Sequence, residues 1–211
     1  MTYYNNNYFE WQIKLGVFGG KAEMFKFKKY INKNDKIIDF GCGGGFILKS
    51  IDCFEKKGIE INETAREYAR SVNNIDAYSS ISEIEDEWAN VIISNHALEH
   101  THNPLQILND LKSKLKKNGL IIIVVPQEFK NKYKANDINQ HLYTWTPQLL
   151  GNLIKLAGLE VVSSKTLVYD WPPFYNIIYK LFGKSIFNIS SILYCFLSRN
   201  GYQVITIGRK S

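Results

Sequence analysis

The sequence predicts an α/β protein built on a parallel sheet with helices on both faces. Short β-branched runs alternate with helix-patterned segments of about ten residues, the signature of strand–helix–strand crossovers. The strands are apolar on successive positions, as strands buried on both faces must be. A cluster of glycines, Gly41, Gly43, Gly44 and Gly45, follows the first strand directly.

The elements follow in order. Residues 1–30 are aromatic and lysine-rich and read as a loop, then a helix over Lys21–Tyr30. KIIDF is the first strand, and Phe46–Asp52 has helical spacing. KKGIE is a second strand that ends in an acid. Asn62 caps a helix running to Val72, because its side-chain oxygen can accept an otherwise unpaired amide of the first turn. Ile75–Tyr78 is a weak third strand and Ala89–Ser94 a firmer fourth. Asn103-Pro104 supplies a cap and a proline at the first helical position, opening a helix to Leu115. Asn118-Gly119 turns into LIIIVVP, the most apolar strand. Thr146-Pro147 caps a helix through Leu156, ended by Ala157-Gly158, and Leu159–Val168 returns as a strand. Phe174–Ser198 is helical and aromatic, and Tyr202–Gly208 is a closing strand.

Composition bounds the function classes. The chain has 211 residues, 45% hydrophobic and 22% charged, which fits a globular domain and excludes a disordered one. The net charge of +6 is concentrated near the end: Trp171 to Ser211 contains Lys180, Lys184, Arg199, Arg209 and Lys210 and no Asp or Glu. That segment is either a solvated basic edge or a surface for an anionic partner. Cys42, Cys53 and Cys195 are an odd number without metal-like pairing, which fits a reducing compartment. MTYYNNNYFEW shows neither a basic nor an apolar signal region, so the expected location is cytoplasmic.

The glycine turn calls for a ligand, since a merely tight turn would need one or two glycines. In an open parallel sheet ligands sit beyond the carboxyl ends of the strands, where glycines let backbone approach closely. A P-loop would need a Gly-Lys-Ser/Thr ending, and Gly45-Phe46-Ile47 has none. A dinucleotide fingerprint wants glycine or alanine at its sixth position, which is Phe46. Two acids remain to be explained. Asp39 precedes the glycines, where it would repel a pyrophosphate but suit a cationic amino group. Glu60, 19 residues after Gly41, is placed to accept both hydroxyls of a ribose.

On these residues the chain resembles the class I S-adenosylmethionine-dependent methyltransferases. IIDFGCGGGF is similar to the family's first motif, and KGIEIN to its second-strand motif with the ribose-binding acid. ANVIISNHALEHTHNP resembles the fourth-strand region, LKKNGLIIIVVP the fifth, and QHLYTWTPQLLGNLIKLAGLEVV the tail of small-molecule members. The resemblance implies a Rossmann-like seven-stranded sheet in the order 3-2-1-4-5-7-6, the last strand antiparallel. It implies one methyltransferase domain: an N-terminal lid or helix at 1–30, a cofactor-binding core at 31–168, a helical cap at 169–201 and a closing strand at 202–211. It implies S-adenosyl-L-methionine as cofactor. Asp39, Gly41, Cys42 and Gly43 would wrap its methionine part, Glu60 its ribose and Ile61 its adenine, while Asn95 would offer backbone to its amino group. Cys42 reads as a small filler of the loop.

His96-Ala-Leu-Glu99-His100 matches a zinc-binding spacing, but it falls where strand four gives way to a loop, so no metal is expected. Asp170-Trp171-Pro172-Pro173-Phe174 is similar to a motif of amino-methylating nucleic-acid enzymes, but it follows the sixth strand and reads as a stiff corner. Transfer to a hydroxyl needs a base near neutral pKa, and the chain has four histidines. His102 reads as exposed; the first candidate base is His141 and the second His96. Tyr3, Tyr4, Tyr8, Phe9 and Trp11 form a lid over the cofactor or a staple of the first helix. The expected activity is O-methylation of a small molecule or glycan precursor. RNA or protein methylation, and a non-catalytic cofactor-binding scaffold, stand as alternatives. Within Phe174–Ser198, Ile186, Ile189, Leu193, Phe196 and Leu197 share one helical face. That segment reads as two helices covering the acceptor pocket and packing on the sheet, or as a cap touching an anionic membrane.

Overall fold

The computed structural model describes residues 6–129, 132–135, 137, 139–198 and 201–211, without the side chains of residues 6–12 and 14. Its strands are β1 (Lys36–Phe40), β2 (Glu55–Ile59), β3 (Asp76–Tyr78), β4 (Ala89–Asn95), β5 (Leu115–Pro126), β6 (Glu160–Val168) and β7 (Tyr202–Arg209). Its helices are α1 (Asn6–Ala22), α2 (Phe46–Lys49), α3 (Glu63–Ser71), α4 (Pro104–Lys114), α5 (Pro147–Leu156) and α6 (Tyr175–Ser198). The strands form one sheet in the order β3-β2-β1-β4-β5-β7-β6, as expected. β7 runs antiparallel to both neighbours, and the other pairings are parallel.

Alternation along the central strands fills both faces. Ile38, Ile92, Ile121 and Ile123 point into one core with Leu108, Leu111, Leu150 and Ile154 of α4 and α5. Ile37, Ile93, Ile122 and Val124 point into the other, with Phe27, Leu48 and Ala69. The expected caps form: Asn62, Asn103 and Thr146 each accept a first-turn amide, and proline follows the latter two.

One expectation is corrected. The helix assigned to Lys21–Tyr30 lies earlier, at Asn6–Ala22, and the assigned stretch forms short 3-10 turns at Glu23–Lys26 and Lys28–Tyr30. Gly16 and Gly20 within α1 permit close contact with Phe46. A Cβ on Gly16 would stand 2.3 Å from the Phe46 ring, and one on Gly20 would stand 2.3 Å from the Phe46 carbonyl oxygen. In α6 the apolar face read from the sequence is exposed. Its buried side chains are Phe187, Ser191 and Cys195, while Ile186, Ile189, Leu193, Phe196 and Leu197 face solvent rather than the sheet or a pocket. Tyr3 and Tyr4 lie outside the described residues, as do the side chains of Tyr8, Phe9 and Trp11. A different aromatic of α1, Phe18, packs against Trp171, Tyr175, Tyr179 and Phe187 with ring centroids 4.7–5.3 Å apart.

Candidate active site

β1 ends at the glycine turn, where Gly41, Gly43 and Gly45 take left-handed backbone angles of 75°, 52° and 75°. Such angles strain any residue with a Cβ, and at Gly41 the added atom would lie 2.3 Å from Ala97. Glu60 at the end of β2 ties the turn down. Its Oε2 accepts from the Gly43 amide at 2.9 Å and its Oε1 from the Asn62 amide at 2.8 Å. Cys42 fills the space left by Gly58, where a Cβ would come 2.5 Å from the sulfur. Burial, with Asp39 and Glu60 nearby, pushes its thiol well above the usual range, so the filler reading fits and a nucleophile does not.

Asp39 is 2% exposed. Burial and the neighbouring Glu60 push it up to about 8, while burial raises Glu60 against the opposing hydrogen bonds from Asn62 and Gly43. A buried acid and a partly buried one thus stand beside the glycine turn, with Arg66 the cation acting on Glu60.

Two cavities meet at this turn. One, of about 690 Å³, is lined by Phe40, Glu60, Ile61, Asn62 and the Ser79–Ser82 segment. Ile61 is largely exposed and Ser80 caps the turn at Ile81–Glu83, a role the sequence reading did not assign. The other cavity, of about 810 Å³, is lined by Glu23, Asn95, Glu128, His141, Trp171, Tyr175 and Gln203 among others. Gly41, Gly43, His96 and His100 border both. Both volumes suit a cofactor-sized ligand and a small second molecule.

The floor of the second cavity is a buried polar network that sequence reasoning missed. Lys26 Nζ donates to Asn95 Oδ1 at 3.1 Å and to Gln203 Oε1 at 2.6 Å, and pairs with Glu23. Glu23 Oε1 accepts from the Trp171 indole at 3.0 Å. Spacing hinted only at the Glu23–Lys26 pair; Gln203 lies on the last strand, and only the sheet order brings it there.

The structure gathers three of the four histidines around Glu99. His96 adopts a left-handed φ of 56° just past β4 and sets Nδ1 3.5 Å from Glu99 Oε1. His141 lies between carboxylates, with Nε2 3.9 Å from Glu99 Oε1 and Nδ1 3.2 Å from Glu128 Oε2, the latter outside hydrogen-bond geometry. Its ring meets that of His100 edge-on, centroids 4.9 Å apart. Burial holds His100 below the usual histidine range, so its neutral form dominates at pH 7. His102 is exposed, as expected. Glu99 is wholly buried, and neither of its oxygens has a hydrogen-bond partner among the described residues. Such a carboxylate is costly unless a cation stands against it. The reason for discounting the zinc-like spacing holds in part: Leu98–His100 is a 3-10 turn and does not align His96 with His100. Yet His141 joins Glu99 and His100, and one donor atom from each falls within 4.8 Å of the others. The sequence could not show this, because His141 is 41 positions beyond His100.

Residues 19–164 match the family model described as a methyltransferase domain. The ubiquinone biosynthesis O-methyltransferase of Rickettsia akari is 30% identical over 166 residues, 68% of this chain and 66% of that protein. That of Rickettsia conorii is 26% identical over 71% of this chain and 59% of its own length. The chain thus spans just under two thirds of the curated relatives it matches. A crystal structure of a SAM-dependent methyltransferase from Archaeoglobus fulgidus superposes with a TM-score of 0.67 at 18% identity, covering 96% of this chain and 99% of that one. The [4+2]-cyclase SpnF gives 0.64 at 14% identity, covering 90% and 80%. At such identities the structural likeness shows the fold, and a cyclase among the neighbours shows that chemistry must be argued from the site.

Proposed function

The chain belongs to the S-adenosylmethionine-dependent methyltransferases, and from that premise we propose that it methylates a hydroxyl group of a small molecule or glycan precursor. The observation that carries this reading is the meeting of two cavities at Gly41, Gly43, His96 and His100, with Glu60 lining one and a histidine–carboxylate cluster the other. The residues fit the cofactor: Asp39 is a buried acid and Glu60 a partly buried one, beside glycines that border both cavities. Asp39, Gly41, Cys42 and Gly43 would hold its methionine part, Glu60 and Ile61 its ribose and adenine, and Asn95 its amino group. When bound, the cofactor supplies a methyl group on a positively charged sulfur.

The chain's own residues position the acceptor and take its proton. His96 borders both cavities with its Nδ1 3.5 Å from Glu99 Oε1, and in this reading its ring accepts the hydroxyl proton. The charge that develops on the ring is met by the buried Glu99 carboxylate. His141, ranked first from sequence, lies between Glu128 and Glu99 and becomes a positioning residue in this reading. Among the described residues, no Lys or Arg lines the acceptor-side cavity, while Glu23, Glu128 and Asp170 do. A lining without Lys or Arg offers no cation to hold a phosphate-rich acceptor such as RNA, which favours a neutral hydroxylated one. Peripheral contact with an anionic membrane belongs to the same reading and rests on α6.

Calorimetry tests the cofactor half. S-adenosylmethionine should bind, and Glu60→Ala should weaken it by about 2 kcal/mol, roughly thirtyfold. Gly43→Leu should abolish binding at a left-handed position that must stay open. Binding of NADH in place of the sulfonium cofactor would refute the reading. Mass gain of one methyl on catechol or sugar acceptors tests the other half, and turnover confined to RNA would overturn it.

A further inference from the structure

The outer face of α6 is more than a pocket cover. The helix breaks at Gly183, where φ is 77° and ψ 179°. Tyr179 and Phe187, eight positions apart, meet with ring centroids at 5.5 Å. A straight helix would separate them by about 12 Å along its axis, so the two arms fold into a hairpin. Phe18 of α1 holds both arms, touching Tyr175 and Tyr179 on the first and Phe187 on the second. That anchorage fixes which sides look outward.

Outward stand Leu181 and Phe182 on the first arm and Ile189, Leu193, Phe196 and Leu197 on the second, each more than half exposed and Leu197 at 84%. Those on the second arm recur at helical spacing and form one continuous apolar stripe. Lys180 and Lys184 flank the bend, and both are exposed. From Trp171 onward the sequence holds no acid to oppose them. Taken whole, Tyr175–Ser198 is long and apolar enough to cross a membrane, but the break at Gly183 leaves two arms that are each shorter than the ~20 residues of a straight span. An apolar stripe edged by lysines and free of carboxylates has the make-up of a helix lying in the interface of an anionic bilayer.

We propose that the α6 hairpin docks the protein on an anionic membrane surface, its apolar stripe at the headgroup–acyl boundary and Lys180 and Lys184 against the headgroups. Trp171 and Tyr175, at the base of the hairpin, line the acceptor-side cavity. Docking thus sets that cavity beside the bilayer, within reach of an acceptor carried on a lipid. Only this last step rests on the methyltransferase reading.

Flotation with vesicles, alongside cofactor calorimetry on the same samples, tests the docking. Vesicles containing phosphatidylglycerol should capture the protein at least tenfold better than phosphatidylcholine alone, and high salt should reduce that capture. Leu197→Asp with Phe196→Asp should lower it tenfold or more at an unchanged melting temperature. Lys180→Glu with Lys184→Glu should remove the preference for anionic lipid. Absence of capture, or capture indifferent to lipid charge and to the lysines, overturns the proposal. So does a concentration-dependent dimer in sedimentation that the Leu197→Asp variant dissolves, since a second copy would then be the occupant. Cofactor binding that persists while capture fails sinks the docking alone. Capture without cofactor binding sinks the enzymatic reading alone.

Discussion

Asp39→Asn is expected to stabilise the ligand-free protein while weakening S-adenosylmethionine binding by about thirtyfold or more. The sign follows from the environment of the carboxyl. Burial and Glu60 raise it from 3.8 to about 8, so folding favours its protonated form. The cost of keeping it in the fold begins as pH rises above 3.8, grows to about pH 8 and then levels, at on the order of 1.4 kcal/mol per unit of pH. The melting temperature of the ligand-free Asn variant should therefore exceed the parent's by a margin that widens with pH up to about 8. A bound cation reverses the balance, because it favours the ionised acid. Removing one partner of a buried charge pair costs about 2–5 kcal/mol, which sets the size of the affinity loss. The parent should also release close to one proton per cofactor bound at pH 7, falling toward none above pH 9, and the Asn variant should release none. Calorimetry in buffers of differing ionisation enthalpy reads that number. Equal affinities in the two proteins, or no proton release by the parent at pH 7, would show that Asp39 does not face the cofactor's charge.

Loss of the base should act on turnover and spare the cofactor. His96→Ala is expected to lower kcat by about 10²–10⁴-fold, the span that a well-placed general base supplies. Glu99→Gln keeps the shape of the side chain but removes the charge behind the ring. It should lower kcat while leaving S-adenosylmethionine affinity unchanged. His141→Ala should change KM more than kcat if that ring positions the acceptor. A chelator distinguishes this proton network from a divalent cation held by Glu99, His100 and His141: the rate should be indifferent to it. A rate abolished by chelation and restored by one metal would replace the histidine mechanism with a metal-assisted one.

Much of the cofactor side was legible in the sequence because its determinants are local. The glycine turn, the acid before it and the acid at the end of the next strand each follow from strand ends, and the sheet then places them together. Asn62, Asn103 and Thr146 announced their helices through capping chemistry that acts over three residues. The acceptor side was less legible. Lys26, Asn95 and Gln203 converge from three separate stretches, and Glu99 meets His141 across a loop. No spacing rule links such positions. The first helix was misplaced because its glycines lower helix propensity, whereas contact with Phe46 rewards their missing side chains. For α6 the apolar face is visible in the sequence, but the sequence left its direction open; the side that packs on the chain is the one held by Phe18.

The position of β7 bears on how the chain is made. Among the described residues β6 pairs only with β7, and β7 lies between β5 and β6 although it follows both in the chain. During synthesis, β1 to β5 can associate as they emerge, while β6 waits with open edges and β5 with one side bare. Through that interval α6 emerges with its apolar stripe, before the strand that locks its neighbours has been translated. Nascent chains are thus most exposed to aggregation in their last stage, and pairing at long sequence separation makes that stage slow. A ribosome stalled before Tyr202 would hold a chain whose cofactor-side sheet is assembled and whose other edge is a ready template for the wrong partner.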